Sequence, residues 1–306
     1  MKRILLIGKN GQVGWELERT LASLGKVIAV DRKVVDLAKT DTIVAAIREV
    51  KPDIIVNAAA YTAVDKAESE PELAMAINGI APGIMAEEAR RINALLVHYS
   101  TDYVFDGTKI GPYTEQDAPN PQSVYGKTKL AGEQAVQSAN GSHLILRTSW
   151  VYGGRGKNFL RTILRLAQER DELKIVDDQI GAPTWSRMIA EATAQTLSQA
   201  FSFLTPYPSR LSELSGIYHL TSAGQTSWFG FTRAIVELAI QQGADFSPKM
   251  LPIPTAEYPL PAARPQNSVM ANEKLQNTFG LFMPDWQTAL GLCFDGMEYQ
   301  ASSQSS

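Results

Sequence analysis

Tyr125 and Lys129 are the two residues whose types and spacing most directly suggest chemistry. They lie four residues apart, so on a helix they share one face, about one turn from each other. An ammonium group beside a phenol favours the phenolate form, and a free tyrosine titrates near pH ~10. We therefore interpret the pair as a general acid/base whose pKa the lysine lowers, although a surface pair without function has the same spacing.

A hydroxyl group upstream completes a candidate catalytic set. Thr101 lies in the segment Ser100–Tyr103, directly after a predicted strand. Its hydroxyl can hydrogen-bond the carbonyl oxygen of a substrate while Tyr125 supplies a proton. A single threonine at a strand end is usually only a cap. Thr101, Tyr125 and Lys129 become a catalytic hypothesis because they follow a nucleotide-binding loop in this order. Tyr125 and Lys129 are also predicted to bind the coenzyme, the lysine at the nicotinamide ribose.

That loop is the glycine-rich segment between the first strand and the first helix. Its glycines are spaced G-x-x-G-x-x-G and permit a tight turn with close approach to a pyrophosphate, while the helix N-terminus offers free N–H groups to the anion. The predicted loop residues that bind a dinucleotide coenzyme are Gly8, Gly11, Gln12, Val13 and Gly14.

The residues after the second strand bear on which coenzyme is bound. Asp31 can accept hydrogen bonds from the adenosine ribose, which favours NADH, whereas Arg32 could hold a 2′-phosphate, which favours NADPH. Asp36 and Leu37 follow after a short gap and are predicted to flank the adenine. The choice between NADPH and NADH stays open. After the third strand, small residues ending at Ala60 leave room for the coenzyme, and Tyr61 and Thr62 follow directly.

Composition narrows the class of protein. The chain has 306 residues, a formal net charge of -3 and a pI of about 5.7, without the basic stripe of a nucleic-acid binder. No stretch is long and apolar enough for a membrane span. Cys293 is the only cysteine and the three histidines lack metal-ligand spacing, so we predict no disulfide and no metal site. A cytoplasmic enzyme is expected.

The first half alternates short apolar runs with helical patterns, which is typical of βαβ units. We predict an α/β fold, a Rossmann-type doubly wound parallel sheet with a smaller, mostly C-terminal substrate-binding lobe. Residues 1–150 would bind the dinucleotide and carry the catalytic residues. Residues 151–300 would form mainly the lobe, with segments that return to the sheet, and 301–306 a disordered tail.

Several longer strings resemble the extended short-chain dehydrogenase/reductase family, in the branch that modifies nucleotide sugars. The resemblance covers nearly the whole chain. It rests on residues 8–17, 56–68, 98–105, 124–133, 147–152, 178–184 and 263–268.

The resemblance implies roles for individual residues. Tyr99 would join Ala60, Tyr61 and Thr62 beside the nicotinamide. Thr101 and Asp102 would meet the sugar, and Trp150 would pack on it unless it is a core aromatic. Arg264 would bind the diphosphate or, equally, form a salt bridge within a loop. The implied substrate is a 4-keto-6-deoxy sugar attached to dTDP, reduced with NADPH or NADH.

One difference in sequence from related enzymes reduces the number of reactions that fit. The sugar dehydratases of the family carry an Asp-Glu pair after the threonine, and here Tyr103 follows Asp102. Elimination of water lacks its second acid, so simple reduction fits better. An epimerase, and a cofactor-binding regulatory subunit without activity, stay as alternatives. Family members often dimerise, so a homodimer is an option, and Glu16 is compatible with magnesium at a dimer contact.

Overall fold

The computed structural model describes residues 1–201 and 209–297, so the predicted tail 301–306 lies outside the described residues. The strands in this part of the chain are β1 (Lys2–Ile7), β2 (Gly25–Val30), β3 (Ile54–Asn57), β4 (Leu95–Thr101), β5 (His143–Thr148), β6 (Val151–Tyr152), β7 (Glu172–Val176), β8 (Ile180–Gly181), β9 (Thr184–Trp185), β10 (Gly216–His219), β11 (Thr226–Ser227) and β12 (Lys249–Ile253).

Helices follow most of the strands. They are α1 (Gln12–Thr20), α2 (Thr40–Val50), α3 (Val64–Ala67), α4 (Pro71–Met75), α5 (Ala81–Arg91), α6 (Val124–Ser138), α7 (Phe159–Glu169), α8 (Ser186–Ala200), α9 (Ser209–Leu214), α10 (Trp228–Gln241), α11 (Glu273–Phe279) and α12 (Trp286–Asp295). None of these described helices is long and apolar enough to cross a bilayer.

The central sheet has six parallel strands in the order β2-β1-β3-β4-β5-β10. The chain moves outward from β1 to β2, then returns to the other side of β1 for β3 and continues in that direction. The point between β1 and β3 is therefore a topological switch point, where open α/β sheets bind their ligands. The predicted Rossmann-type α/β fold is confirmed.

The apolar runs of the inner strands explain why the sheet is buried on both faces. In β1, Ile4 and Leu6 belong to the core on one face, while Leu5 and Ile7 belong to the core on the other. All four side chains are at most 1% exposed. This alternation follows from the two-residue period of a strand. It places α1 and α8 on the first face and α2 and α5 on the second.

Pro71 is well placed in the first turn of a helix, and the sequence predicts one long helix from there to about Arg91. A π-helical turn, Ala76–Ile80, interrupts that helix. Asn78 of this turn is buried, and its side chain accepts a hydrogen bond from the Tyr61 N–H at 2.8 Å and donates to the Tyr61 carbonyl at 3.0 Å. The Asn78 side chain thus satisfies both backbone polar groups of Tyr61, in the segment after β3, as a neighbouring strand would. A pattern of apolar residues does not reveal such a contact, so the sequence predicted a regular helix.

The second half forms three small sheets, β6 with β9, β7 with β12 and β8 with β11, around a separate apolar core. That core is built on α7, α10 and α12 and includes Phe231, Leu290 and Phe294. The strand β10 leaves this half and pairs with β5 in the central sheet. The division into functional units at residue 150 stays a prediction.

A buried ion pair joins α6 to the sheet. Arg147 of β5 and Glu133 of α6 are both 1% exposed, and two hydrogen bonds of 2.9 and 2.7 Å connect them. Removal of one partner from such a pair leaves an uncompensated charge away from water. The pair therefore fixes the position of the helix that carries Tyr125 and Lys129.

We expect Glu133→Gln to lower the free energy of unfolding by about 3–5 kcal/mol, because the Arg147 guanidinium would stay buried without its counter-charge. Chemical denaturation measures this change. The control is Glu169→Gln, which breaks an exposed pair with Arg165 at 2.6 Å and should cost about 1 kcal/mol or less. Equal losses in the two variants would contradict this account.

Candidate active site

A cavity of about 690 Å³ lies at the carboxyl ends of β1 and β3, at the switch point of the sheet. Its walls contain nearly all of the residues predicted to bind the coenzyme. These are Gly8, Gly11, Gln12, Val13, Asp31, Arg32, Asp36, Leu37, Ala60, Tyr61, Thr62, Tyr99, Tyr125 and Lys129. Residues from five different segments thus converge on one space, as a dinucleotide site requires.

Gly14 is the exception among the predicted coenzyme residues, since it does not line the cavity. It is buried in the first turn of α1, where an added Cβ would lie 2.1 Å from the Gly8 carbonyl oxygen. The absence of a side chain at Gly14 lets the helix pack against the loop, and a direct contact of Gly14 with the coenzyme stays a prediction. The helix N-terminus is thereby held beside the cavity wall.

Tyr125 and Lys129 lie on α6, as predicted, and both reach the cavity. Ser123 caps the helix by accepting a hydrogen bond from the Gly126 N–H at 3.1 Å. Gly126 has no side chain at the point where a Cβ would lie 2.2 Å from the Tyr103 carbonyl oxygen. The helix therefore begins in close contact with the turn that follows β4.

The expected lowering of the Tyr125 pKa by Lys129 is not found. Burial raises the pKa of the Tyr125 phenol to about 12, opposed by a hydrogen bond with the Thr101 side chain, and the Asp102 charge raises it further. The Lys129 Nζ instead donates to the Tyr99 carbonyl at 2.6 Å. Desolvation is the larger effect here, so the phenol stays protonated at neutral pH.

Lys129 is itself 2% exposed, which is unusual for a lysine. Besides the Tyr99 carbonyl, its Nζ lies 3.3 Å from the His98 Nε2. Burial lowers the pKa of Lys129 to about 8, and the charge of Glu133 opposes this. No role for His98 follows from the sequence pattern, although its side chain lies on the face of β4 next to α6.

Thr101 and Asp102 lie at the end of β4 and are 5% and 2% exposed. The Thr101 hydroxyl donates to Asp102 Oδ1 at 2.9 Å and accepts from the Tyr103 N–H at 3.2 Å. Neither residue lines either of the two cavities described here. The Thr101 side chain also hydrogen-bonds the Tyr125 phenol, and both strand-end side chains lie behind the cavity walls.

A second cavity of about 500 Å³ lies on the lobe side of the site. Tyr103 lines it, and the Tyr103 ring meets the Tyr125 ring edge to face at 5.4 Å between centroids. Tyr125 lines the first cavity, so the contact between the two rings joins the wall of the first cavity to the wall of the second. Other lining residues are Phe159, Thr162, Leu166, Lys174, Gln179, Trp228, Thr255, Tyr258 and Arg264.

Trp150 is half-buried and adopts a left-handed backbone conformation with φ of 47°. Its ring stacks on Trp228 at 3.5 Å between centroids and 5° between planes. Trp228 lines the second cavity, so Trp150 lies one ring behind its wall. Trp228 is not among the residues predicted from the sequence. A tryptophan at the start of a helix after the polar turn 222–227 was the available signal.

Arg264 lines the second cavity and also forms a salt bridge, the alternative that the sequence left open. Its Nη2 donates to Asp65 Oδ2 at 2.7 Å, and Asp65 Oδ1 accepts from the Ala262 N–H at 3.2 Å. The loop before Pro265 is thereby tied to α3. A guanidinium group in this position carries positive charge to the cavity wall, although both of its terminal nitrogens already donate, since Nη1 bonds the Ala262 carbonyl at 3.3 Å.

Asp102 gives the site a pH-dependent contribution to stability. Burial raises the pKa of its carboxyl from 3.8 to about 6, opposed by the hydrogen bond from Thr101. The folded state therefore binds the proton more tightly than the unfolded state. This favourable contribution is complete below about pH 4 and is lost as the pH rises through about 6.

The asparagine in Asp102→Asn cannot ionise, so this variant avoids the loss of stability that the unsubstituted protein undergoes as the pH rises. We expect the difference in free energy of unfolding, variant minus unsubstituted protein, to increase by up to about 3 kcal/mol between about pH 4 and pH 7. Urea titrations at several pH values measure the difference. The exposed Asp171→Asn variant is the control and should show no such trend. A difference for Asp102→Asn that is independent of pH would contradict the raised pKa.

Comparison with known proteins agrees with this geometry. A family model described as the RmlD substrate binding domain matches residues 1–299. A dTDP-4-dehydrorhamnose reductase of Burkholderia thailandensis is 52% identical, over 95% of this chain and 97% of the relative. Two solved structures of such reductases superpose closely. The one from Clostridium acetobutylicum has a TM-score of 0.87 and 37% identity, covering 96% of this chain and 98% of that one.

The second solved structure, from Bacillus anthracis in complex with NADP, has a TM-score of 0.85 and 35% identity, covering 97% of this chain and 99% of that one. Matches of this identity and coverage extend over the loop, the catalytic candidates and the lobe together. The chain belongs to the dTDP-4-dehydrorhamnose reductase family.

Proposed function

We propose that this protein reduces dTDP-4-dehydro-6-deoxy-L-mannose to dTDP-L-rhamnose with NADPH or NADH, the last step of dTDP-rhamnose synthesis. One observation carries the proposal beyond family membership. A protonated phenol, Tyr125, lies on the wall of the nucleotide cavity and touches Tyr103 on the wall of the second cavity. A proton donor between two ligand cavities is what carbonyl reduction needs.

The first cavity fits a nicotinamide dinucleotide. The N–H groups at the start of α1 would face the pyrophosphate, beside Gly11 and Gln12. Small side chains at residues 58–60 leave space across the end of β3. Tyr99 and Lys129 would lie on the nicotinamide side. The bound coenzyme supplies the hydride for the ketone carbon, and the protein supplies position and the proton.

Both coenzymes are compatible with the residues near the adenosine end. Asp31 accepts a hydrogen bond from the Lys33 N–H at 3.0 Å, and its carboxylate lines the cavity where ribose hydroxyls would lie. Arg32 pairs with Asp36 at 3.5 Å, but its side chain is 76% exposed. It can therefore turn toward a 2′-phosphate without leaving a buried position. The Bacillus anthracis relative was solved with NADP, which supports NADPH as one coenzyme.

The nucleotide sugar would occupy the second cavity. Its walls combine aromatic rings, which suit a flat pyrimidine base, with the cationic side chains Lys174 and Arg264, which suit a diphosphate. The sugar would reach Tyr125 past Tyr103, near the end of β4. Trp150 would contact the sugar only if the Trp150–Trp228 stack opens, so we propose Trp228 as the nearer aromatic contact.

Tyr125 would act as the general acid. As the ketone becomes an alkoxide, the phenol O–H bond breaks and the alcohol O–H bond forms, because an alkoxide is a stronger base than a phenolate. The high pKa of Tyr125 keeps the donor protonated throughout the physiological pH range. Thr101 would hydrogen-bond the same oxygen or hold the phenol, and Lys129 would bind the nicotinamide ribose.

The alternatives are less well supported. Dehydration would need a second acid beside Asp102, where Tyr103 stands. A regulatory subunit without activity would have no use for a buried lysine and a phenol that both reach the coenzyme cavity. An epimerase shares the fold, and its activity is separated from reduction by the product.

The direct test is incubation of the protein with dTDP-4-dehydro-6-deoxy-L-mannose and either NADPH or NADH, with the product identified by NMR. We expect coenzyme oxidation and formation of dTDP-L-rhamnose. Formation of the epimer at carbon 4 would contradict the assigned product. Binding of NADPH without oxidation would support the regulatory role instead.

Replacement of Tyr125 with Phe removes only the phenol oxygen. We expect turnover to fall by about 10²–10⁴-fold, the range typical of general acid catalysis, with a much smaller change in coenzyme affinity. Steady-state kinetics and fluorescence titration measure the two quantities. Tyr113→Phe is the matched control, because this buried hydroxyl bonds Asp106 outside both cavities. Turnover near that of the unsubstituted enzyme in Tyr125→Phe would refute the assignment.

We also propose that the protein is cytoplasmic, acts on a small-molecule nucleotide sugar and forms a homodimer. Light scattering of the purified protein would test the dimer, and a monomer at working concentration would contradict it.

A further inference from the structure

Residues 153–158, here named the strap, connect β6 to α7 and reach the coenzyme cavity. Gly156 and Lys157 line this cavity, as does Gln12 at the start of α1. None of the residues that the sequence predicts to bind the coenzyme lies in the strap. A part of the cavity wall that comes from a separate segment therefore needs its own explanation.

Side chains at both ends of the strap attach it to the first two turns of α1. The Asn158 side-chain amide donates to Gln12 Oε1 at 2.9 Å, while Asn158 Oδ1 accepts a hydrogen bond from the Arg161 N–H at 3.1 Å. Asn158 thus caps α7 and binds α1 at the same time. The Arg155 guanidinium lies over the Trp15 ring, 4.3 Å from its centroid. The strap is therefore held at a defined place beside the start of α1.

A glycine lets the strap turn at this place. Gly156 has φ of 74°, in the left-handed region that side chains disfavour. A Cβ built on Gly156 would lie 3.6 Å from the Gln12 Cγ, so the backbone of the strap approaches the first residue of α1 closely. Lys157 follows directly and lines the cavity at this end of the helix.

Lys157 differs from the other two cationic residues that line the cavity, Arg32 and Lys129. Arg32 pairs with Asp36 at 3.5 Å, and Lys129 is buried and donates to the Tyr99 carbonyl at 2.6 Å. Lys157 is exposed, and within residues 1–201 and 209–297 its ammonium group has no hydrogen bond or salt bridge. Of the three lining cations, Lys157 is the one whose charge is available to a ligand.

The position of Lys157 indicates which part of a ligand it would meet. A dinucleotide places its anionic pyrophosphate at the N-terminus of the first helix, where the backbone N–H groups point. The lysine of the glycine loop, Lys9, does not line the cavity. The loop therefore offers N–H groups and the helix dipole to the anion, and Lys157 is the cationic side chain beside the same helix end.

We infer that Lys157, held in place by the strap, is a coenzyme-binding residue that contacts the pyrophosphate. A 2′-phosphate would lie after β2, beside Asp31 and Arg32, whereas Lys157 adjoins the start of α1. Because NADPH and NADH share the pyrophosphate, Lys157 strengthens the binding of both and does not select between them. The inference rests on the proposed function in one respect, that the first cavity binds a nicotinamide dinucleotide.

The test is fluorescence titration of Lys157→Gln with NADPH and with NADH, in the absence of any sugar substrate. We expect the dissociation constant to rise about tenfold for each coenzyme, the effect of losing one charge-assisted contact. Lys157→Arg keeps the positive charge and should recover most of the affinity. Lys26→Gln is the matched control, since Lys26 is an exposed lysine at the amino end of β2, far along the strand from the cavity.

The pattern of losses decides between the pyrophosphate and other roles. Weaker binding of NADPH alone would place Lys157 at the 2′-phosphate and overturn the inference. A loss no larger than that of Lys26→Gln would show a solvated surface lysine and would also overturn it. An electrostatic contact further predicts that the loss in Lys157→Gln shrinks between about 50 mM and about 500 mM NaCl, because salt screens exposed charges.

The part played by the strap is tested with Asn158→Ser. Serine retains an oxygen that can cap α7 but lacks the amide that donates to Gln12. We expect weaker coenzyme binding, and a smaller further loss when Lys157→Gln is added than in the otherwise unsubstituted protein. Equal losses from Lys157→Gln in the two backgrounds would contradict positioning by the strap.

These titrations separate a failure of the inference from a failure of the proposed function. An unsubstituted protein that binds coenzyme but does not reduce the keto-sugar would contradict the reaction and leave the effect of Lys157 measurable. Normal reduction together with unchanged coenzyme binding in Lys157→Gln would contradict the inference alone.

Discussion

The hydrogen bond from the Lys129 amine to the Tyr99 carbonyl, made out of contact with water, is the constraint on which the site depends. It ties the face of α6 that carries Tyr125 to the last residues of β4, where Thr101 begins the turn toward the second cavity. A long, flexible lysine would lose this order in water. Burial and the ion pair between Glu133 and Arg147 hold the helix so that the lysine stays in place.

Burial also decides the chemistry of the phenol. The same desolvation that orders Lys129 raises the pKa of Tyr125, and it exceeds any influence of the lysine charge. For an enzyme that oxidises alcohols this would be a disadvantage, since a phenolate is then the useful form. For a reductase it is an advantage, because the proton remains available at neutral pH. The raised pKa of Tyr125 therefore suits the proposed direction of the reaction, which is reduction.

Much of the fold could be predicted from the sequence because the inner strands are continuous apolar runs and the helices between them are amphipathic. Ile4 to Ile7 and Leu95 to Val97 could be assigned without any contact information. The glycine loop and the pair Tyr125 and Lys129 could be placed on their elements for the same reason. The π turn at Asn78 could not, since it depends on a hydrogen bond to Tyr61, seventeen residues away.

The remaining site residues come from contacts between segments that are distant in the chain. The Trp150–Trp228 stack and the salt bridge of Asp65 with Arg264 join residues 78 and 199 positions apart, so no local pattern announces them. The direction of the Tyr125 pKa depends on how completely α6 is covered. Spacing alone suggested a lysine effect, and only the burial showed that desolvation is larger.

The most direct test of the account is where the two hydrogens of the product come from. We would run the reaction in ordinary water with coenzyme that carries deuterium at both hydrogen positions of nicotinamide carbon 4, and locate deuterium in the product by NMR. The account predicts one deuterium on sugar carbon 4 and none elsewhere, with the hydroxyl proton from Tyr125 exchanging with solvent. Product without deuterium at carbon 4, or coenzyme left unoxidised, would contradict reduction by this site.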